Sequence, residues 1–316
     1  MDDMTRRGFL RGAAGSAAAA LLLGRGQAAA QGTTSRTRLI LLGTGGGPRI
    51  LAPGRAKPAN VLVINGAAYV VDCGSGVALQ FVKAGVPLTT LRAVFITHHH
   101  SDHNLDYGNL IYSAWAAGLR AAVDTYGPPP LRAITDAYWQ LNRFDIETRI
   151  ADEGRPDLRR LVRAHEFDQP GLVMQTADVK VTAARVFHPP IDQSYAYRFD
   201  TADRSIVISG DTGYSPDLIA LATGADLLVH EVMHLGAVES LLKRVPNAAT
   251  LRVNLVRHHT STEDVGRVAA AAGVKALVLT HFVPADDASL TDEMWLEGVR
   301  KHYSGRIVMG QDLLEL

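Results

Sequence analysis

Short apolar runs alternate with amphipathic stretches along most of the chain. The runs at 38–42, 94–97 and 276–280 predict buried strands. Segments with apolar residues at helical spacing separate such runs, and 104–119 is a clear example. This alternation is typical of an α/β protein, in which helices cover the faces of a sheet. No Pro/Ser-rich linker divides the region, so we predict one domain over residues 32–316.

Several predicted strands end in a chemically competent side chain. These ends are Thr97-His98, Gly210-Asp211, His230-Glu231 and Thr280-His281. Functional groups at strand ends of an α/β protein converge at one edge of the sheet. The pattern therefore predicts that these residues belong to one site.

The densest group of candidate ligands is the run 98–103, which reads His-His-His-Ser-Asp-His. Residues two apart in an extended segment point the same way, so His98 and His100 can bind one metal ion. If the chain then turns into a helix, Asp102 and His103 are redirected and can bind a second metal ion beside the first. Neutral imidazole and carboxylate oxygen are the usual non-thiolate zinc ligands, so the run predicts a metal site.

The first residues differ from the rest of the chain. Arg6 and Arg7 precede an apolar run at 17–23 and the small-residue stretch 28–30, which is the order of a bacterial export signal. The run is far shorter than the ~20 apolar residues that span a bilayer, so we expect no stable membrane span. The pattern resembles twin-arginine (Tat) signals, which implies the Tat export machinery as a partner and a periplasmic or secreted protein.

Composition narrows the classes of function. The 316 residues are 47% hydrophobic and 20% charged, which excludes a disordered chain. The net charge is zero for the full sequence and −2 without residues 1–31, which argues against binding nucleic acid by bulk electrostatics. Cys73 is the single cysteine, so the chain forms no intramolecular disulfide, and we expect a small buried side chain there.

Eight segments in order make the chain resemble the metallo-β-lactamase superfamily over residues 37–316, especially its tRNase Z and arylsulfatase branch. They are Leu42-Gly43-Thr44-Gly45-Gly46, Val71-Asp72-Cys73-Gly74-Ser75-Gly76, Ile96-Thr97-His98-His99-His100-Ser101-Asp102-His103, Tyr126-Gly127-Pro128, Ser209-Gly210-Asp211-Thr212, His230-Glu231, His259-Thr260-Ser261 and Leu279-Thr280-His281-Phe282. The resemblance implies a four-layer αββα metallo-β-lactamase sandwich.

The resemblance also implies two Zn²⁺ ions, with other divalent transition metals as alternatives. One ion would be held by His98, His100, His188 and Asp211. The other would be held by Asp102, His103, Asp211 and His281. Two purely structural alternatives remain open. His188 could be a packed loop residue beside two prolines, and Asp211 could form a turn.

The implied mechanism is hydrolysis by a hydroxide that bridges the two metal ions. Glu231 and His259 would form a carboxylate–imidazole pair that protonates the leaving group, and Asp102 would share in proton handling. Glu231 could instead be a structural partner at a strand end. The choice of His259 over the adjacent His258 rests on the motif alone.

Three features argue against tRNA as the substrate. No Gly/Pro-rich basic arm lies between Pro130 and His188, the export signal separates the enzyme from tRNA, and 230–233 reads His-Glu-Val-Met where tRNase Z usually has His-Glu-Ala-Thr. We therefore expect an exported phosphodiesterase or arylsulfatase that cleaves small-molecule esters, with no nucleic-acid partner.

Other substrates and roles stay open at this point. They are a dizinc hydrolase of lactone, β-lactam or halogenated aromatic compounds, a tRNA 3′-processing endonuclease and a non-catalytic metal-binding protein. Aromatic residues after the metal motif could line a substrate pocket or pack in the core. They are Tyr107, Tyr112, Trp115, Tyr138, Trp139 and Phe144. Relatives often dimerise, so a homodimer is also left open.

Overall fold

The structure is a computed structural model that describes residues 37–50, 54–243, 248–285 and 287–316. The predicted export signal at 1–31 and the domain boundary at residue 32 lie outside the described residues. They stay predictions, as does the location of the protein, which fractionation of cells expressing the full chain would measure.

The first half of the chain forms a six-stranded mixed sheet in the order β1-β2-β3-β4-β5-β6. Its strands are Arg38–Gly43 (β1), Ala59–Ile64 (β2), Ala67–Val71 (β3), Leu91–Phe95 (β4), Val123–Gly127 (β5) and Val162–Glu166 (β6). The hairpins among β1, β2 and β3 are antiparallel, and β3 to β6 run parallel.

The second half forms a seven-stranded sheet in the order β13-β12-β11-β10-β9-β8-β7. Its strands are Gly171–Gln175 (β7), Val179–Arg185 (β8), Tyr195–Thr201 (β9), Ser205–Ile208 (β10), Leu227–Met233 (β11), Ala276–Val283 (β12) and Arg306–Met309 (β13). β10 to β13 run parallel, so the residues that follow β10 and those that end β11 and β12 meet at one edge.

Eleven α-helices lie within the described residues. They are Val77–Lys83 (α1), Ser101–Asn104 (α2), Tyr107–Ala116 (α3), Leu131–Leu141 (α4), Arg143–Glu153 (α5), Leu158–Leu161 (α6), Pro216–Ala222 (α7), Leu235–Leu242 (α8), Ala248–His258 (α9), Thr262–Ala272 (α10) and Asp292–Arg300 (α11). A short 3₁₀ turn lies at Leu88–Thr90. Capping residues fix both ends of α10. Ser261 caps its N-terminus by accepting from the Asp264 amide, and Gly273 ends the helix with φ +61°.

Three apolar cores separate four layers. Side chains alternate along each strand, so in β1 Leu39 and Leu41 face the second sheet while Ile40 and Leu42 face helices. One core lies between the two sheets, one lies between the first sheet and the helices α1 and α3–α6, and one lies under α7, α10 and α11. The predicted αββα sandwich is therefore confirmed.

The helix predicted over 104–119 is α3 at Tyr107–Ala116, and a separate short helix, α2, ends at Asn104, which corrects the predicted boundaries. The break occurs because backbone groups there bond to the turn that follows β3. The Cys73 amide donates to the His103 carbonyl at 2.6 Å, the Asp106 amide donates to the Cys73 carbonyl, and the Asp106 carboxylate accepts from the Gly76 amide. This docking directs the short α2, which carries Asp102 and His103, into the site.

The aromatic residues after the metal motif pack in or against the core of the helical layer, with one exception. Tyr107, Trp115 and Trp139 are buried there, with Tyr112 and Tyr138 packed against them. Phe144 is 85% exposed.

Among the described residues, no helix reaches the length and hydrophobicity needed to cross a membrane.

We expect Phe95→Ala to lower the free energy of unfolding by about 3–5 kcal/mol. Phe95 is fully buried between the sheets, where its ring lies 5.1 Å from that of Tyr126 and 5.2 Å from that of Phe199. Urea unfolding of the purified chain measures the change. Phe144→Ala is the matched control, since its exposed ring predicts almost no change, and equal losses in both variants would contradict this account of the core.

Candidate metal centre

The ends of strands from both sheets meet at one edge and carry the predicted site residues. His98 and His100 follow β4, and α2 begins immediately after them. Asp211 follows β10, where Gly210 turns the chain with φ +60° and a Cβ would lie 3.0 Å from the Tyr195 carbonyl oxygen. His281 lies within β12 with φ +43°, so the strand is irregular where it enters the site.

The first cluster of candidate ligands comprises His98, His100, His188 and Asp211. His100 Nδ1 lies 3.0 Å from His98 Nε2 and 3.1 Å from His188 Nε2. Asp211 Oδ2 lies 4.0 Å from His98 Nε2. Because one ligand atom from each residue lies within 4.8 Å of all the others, a single ion could contact all four.

The second cluster comprises Asp102, His103, Asp211 and His281. His103 Nε2 and His281 Nε2 lie 3.2 Å apart, and each faces Asp211 Oδ1, at 3.3 and 3.1 Å. Asp102 Oδ2 is 3.4 Å from His281 Nε2. Asp211 thus lies between the clusters, and the structure brings together all seven residues predicted as ligands.

The chemistry of this donor set fits divalent metal ions. Asp211 Oδ1 is buried without a hydrogen-bond partner, and carboxylates removed from water need a compensating positive charge. Burial lowers the pKa of His98 well below its usual value and that of His188 to about 4, which favours the neutral imidazole that metals bind. Burial alone would also lower the pKa of His103, yet the carboxylates of Asp211, Asp72 and Asp102 raise it.

Asp72 orients the ligand histidines, a role that the sequence analysis did not assign to it. Its carboxylate lies 2.8 Å from His103 Nδ1 and accepts from the backbone and hydroxyl of Thr97. The Thr97 hydroxyl in turn lies 3.0 Å from His98 Nδ1. Asp72 therefore orients one histidine of each cluster, His103 directly and His98 through Thr97, by contacts to the ring nitrogen Nδ1. Its position at the end of β3 was the available signal, since the same strand-end rule found the other site residues.

We expect Asp72→Asn to lower metal affinity and catalytic activity by about 10–100-fold. The amide oxygen can still accept from Thr97, but the amide nitrogen cannot accept from His103 Nδ1. Asn tolerates the left-handed backbone at this position, where φ is +63°, so the fold should persist. Competition with a chelator measures affinity. Unchanged affinity in a folded variant would contradict the orienting role.

Glu231 and His259 form the predicted carboxylate–imidazole pair. His259 Nδ1 lies 3.2 Å from both carboxylate oxygens of Glu231. Burial alone would lower the pKa of His259, but the charge and hydrogen bond of Glu231, with the charges of Asp211 and Asp102, raise it to about 9, which favours the protonated ring. Glu231 also accepts from the amides of Thr212 and Thr260, so the structural interpretation applies to it as well.

The other histidines near the site contact different groups. The His258 carbonyl accepts from His188 Nδ1, and the His258 ring lies 5.4 Å from the His188 ring. His99 points away, 2.8 Å from the Pro128 carbonyl. His230 is buried with Nδ1 against the Glu231 carbonyl, and burial lowers its pKa to about 4. The geometry therefore places His259, rather than His258, beside Glu231.

Comparison with known proteins identifies the class to which this fold and donor set belong. The family described as the β-lactamase superfamily domain matches residues 68–282, which is more than half of the chain. The chain belongs to this family and is a metal-dependent hydrolase with the metallo-β-lactamase fold.

The similar proteins carry a more specific name. Ribonuclease Z of Mycobacterium marinum is 32% identical over 278 residues, covering 87% of this chain and 96% of that protein. Ribonuclease Z of Mycobacterium sp. (strain KMS) is 34% identical over 279 residues, covering 87% and 94%. The crystal structure of the short form of human tRNase Z aligns with a TM-score of 0.64 at 22% identity, covering 88% and 98%, and supports the fold.

These relatives overturn the predicted substrate class. The expectations of a small phosphodiester or aryl sulfate substrate, of an arylsulfatase and of no nucleic-acid partner were wrong, because relatives aligned over nearly their whole length are ribonucleases. The segment between Pro130 and His188 was one of the features taken to argue against RNA. In the structure this segment forms α4–α6 and β6–β8, which are part of the layers of the fold. The similarity to the ribonuclease Z proteins nevertheless covers 87% of the chain.

Proposed function

We propose that the chain is an endoribonuclease that cleaves precursor tRNA at its 3′ side and uses two divalent metal ions, zinc in the first instance. The similarity to proteins named ribonuclease Z, at 31–34% identity over 87% of the chain, is the observation that carries the proposal. The two clusters that share Asp211 support the number of ions.

Divalent ions held by the two clusters would supply an activated water at neutral pH and charge to stabilise the phosphate oxygens. The chain supplies the remaining functions. His259 presents Nε2 to the substrate because Nδ1 faces Glu231, and it donates a proton to the departing oxygen. Glu231 holds the ring in that orientation and stabilises its charged form. Asp72 fixes His103 behind the cluster.

Binding of RNA by this nearly neutral chain has to rely on local charge. The arginines of α5 and α6 are largely paired: Arg149 with Asp145 and Glu153, and Arg159 with Asp157. Arg49 is exposed on the loop after β1, borders the same cavity as His259, and has no ion-pair partner among the described residues. We therefore propose that phosphate contacts are made around the site rather than on the outer helices.

The test combines metal analysis with cleavage of one RNA. The purified chain, loaded with zinc, is analysed for metal and incubated with a precursor tRNA that carries a labelled 3′ trailer. We expect about two ions per chain and a single cut that releases the trailer, with cleavage lost after chelation and restored by zinc. A fully loaded chain that leaves the precursor intact would contradict the proposed function.

Arg49→Ala tests the proposed local phosphate contact. We expect weaker RNA binding. The slope of log affinity against log salt concentration should also become less steep by about the amount that one phosphate contact contributes. Arg160→Ala is the matched control, because Arg160 is also exposed but lies on α6. Equal effects of the two variants on binding would argue against contacts concentrated at the site.

A further inference from the structure

A largely apolar cavity of about 260 Å³ opens beside His259. Its apolar wall comes from α8, α9 and the end of β12. These residues are Leu241, Leu251, Leu255, Val283, Pro284 and Ala285. The other side carries three cationic residues, Arg49, Arg55 and Lys57, together with His259, so an apolar wall faces positive charge and the proposed proton donor.

The cavity adjoins the candidate metal ligand His281 through the loop after β1 and through His259. Gly46 and Gly47 line it, and a Cβ on Gly46 would lie 2.7 Å from the His281 ring, so only glycine permits this approach of the loop. The His259 ring is stacked on that of His281, with centroids 5.6 Å apart. A group held in the cavity would therefore lie against a candidate metal ligand and the proton donor together.

The side of the bond that faces the cavity follows from the orientation of His259. During hydrolysis the oxygen of water bonds to phosphorus, the bond from phosphorus to the leaving oxygen breaks, and that oxygen keeps the electron pair and takes a proton from His259 Nε2. Since Nδ1 faces Glu231 and His259 also lines the cavity, the leaving nucleoside is the part of the substrate nearest to it.

We propose that this cavity binds the nucleobase of the leaving nucleoside, an inference that rests on the proposed function. Its volume is below the range of about 300–1,000 Å³ for sites of drug-sized ligands, which suits one planar ring system. The apolar wall favours the faces of a base and provides no hydrogen bonds to its edge, while Arg55 is already engaged with Thr44, the Gly310 carbonyl and the Phe282 ring. Arg49 can pair with the adjoining phosphate. The cavity therefore selects for the presence of a base rather than for its identity.

The experiment uses the zinc-loaded enzyme and precursor tRNAs with one abasic residue on either side of the scissile bond. The leaving side is the side whose product ends in a free hydroxyl rather than in the phosphate. We expect the abasic residue on the leaving side to lower kcat/KM by about tenfold, and the one on the other side to have little effect. Exchanging one base for another on the leaving side should change kcat/KM less than removing the base.

Leu255→Trp fills the cavity and should lower kcat/KM for the intact precursor while removing the difference between intact and abasic substrates. Val253→Trp is the matched control on the same helix, since Val253 is 63% exposed, and it should retain the difference. Ala285→Phe fills the cavity from the opposite wall and replaces Leu255→Trp if that variant is shown by its melting temperature to be unfolded.

The outcomes separate this inference from the proposed function. If the wild-type enzyme cleaves the intact precursor and the leaving-side abasic RNA equally, the cavity inference is overturned and the function stands. A loss confined to the abasic residue on the other side also overturns it. If the loaded wild-type enzyme cleaves no precursor, the proposed function fails, and this inference fails with it.

Discussion

Asp211→Asn is expected to reduce RNA cleavage by on the order of 10⁴-fold and to lower the metal content of the purified chain. Asp211 is the residue shared by both clusters: Oδ1 faces His103 and His281, and Oδ2 faces His98. An amide nitrogen has no lone pair for a metal ion, so Asn can serve only one cluster through its oxygen. Loss of the shared carboxylate should therefore weaken both sites together.

Metal analysis, cleavage assays and thermal unfolding measure these effects on one preparation. Burial would raise the pKa of Asp211, but the neighbouring His281 and His103 hold it well below its usual value, so the residue is a carboxylate. Because bound metal stabilises the folded state, a chelator should lower the melting temperature of the wild type more than that of the variant.

Asp217→Asn is the control for Asp211→Asn, because it makes the same chemical change at an exposed position in the first turn of α7. It should leave metal content and cleavage unchanged. An Asp211→Asn chain that retained its full complement of metal and its activity would refute the shared-ligand assignment.

The candidate ligands could be predicted because their positions follow from simple geometry. His98 and His100 are two apart after a strand, and α2 redirects Asp102 and His103 as the turn into a helix predicts. Asp211 follows β10 and His281 lies in β12, which run parallel in one sheet, so their approach follows from the strand-end rule. The same rule brings Glu231 to this edge, whereas assigning His188 as a ligand and His259 as the partner of Glu231 required the family resemblance.

Other features depend on tertiary contacts that the pattern does not encode. The break between α2 and α3 arises from hydrogen bonds to the turn after β3, which lies about thirty residues earlier in the chain. Asp72 reads locally as a turn residue, and only the fold reveals that its carboxylate reaches His103. The helices α8 and α9, which form a wall of the cavity, were not predicted either.

The error in substrate class has a physical origin. Net charge and the missing basic arm measure how a chain would attract RNA over its surface, whereas cleavage depends on the site. The departure at 230–233 has a structural counterpart, because Val232 and Met233 are buried in the cores beside the site, where an apolar residue packs. Net charge, the missing arm and residues 230–233 all lie outside the ligand clusters. They therefore do not determine which phosphodiester the site cleaves.

His259→Ala is expected to reduce cleavage by about 10²–10⁴-fold, the range for loss of a general acid. The loss should nearly disappear for an RNA with sulfur in place of the leaving oxygen, because a thiolate departs without a proton. His258→Ala is the matched comparison, since it keeps the carbonyl that accepts from His188, and we expect a much smaller loss. An equal loss for the oxygen and sulfur substrates would assign His259 to structure alone.

Glu231→Gln tests the same pair through pH. The Glu231 carboxylate is the largest of the charges that raise the pKa of His259, so in the wild type the proton donor is lost only at alkaline pH. Gln removes the charge but retains an oxygen for the amides of Thr212 and Thr260, so the alkaline limb of kcat/KM should move to lower pH in a folded enzyme. Because the pair acts as a unit, adding Glu231→Gln to His259→Ala should cost little more than His259→Ala alone. A limb that stayed in place would mean that Glu231 serves only to hold Thr212 and Thr260.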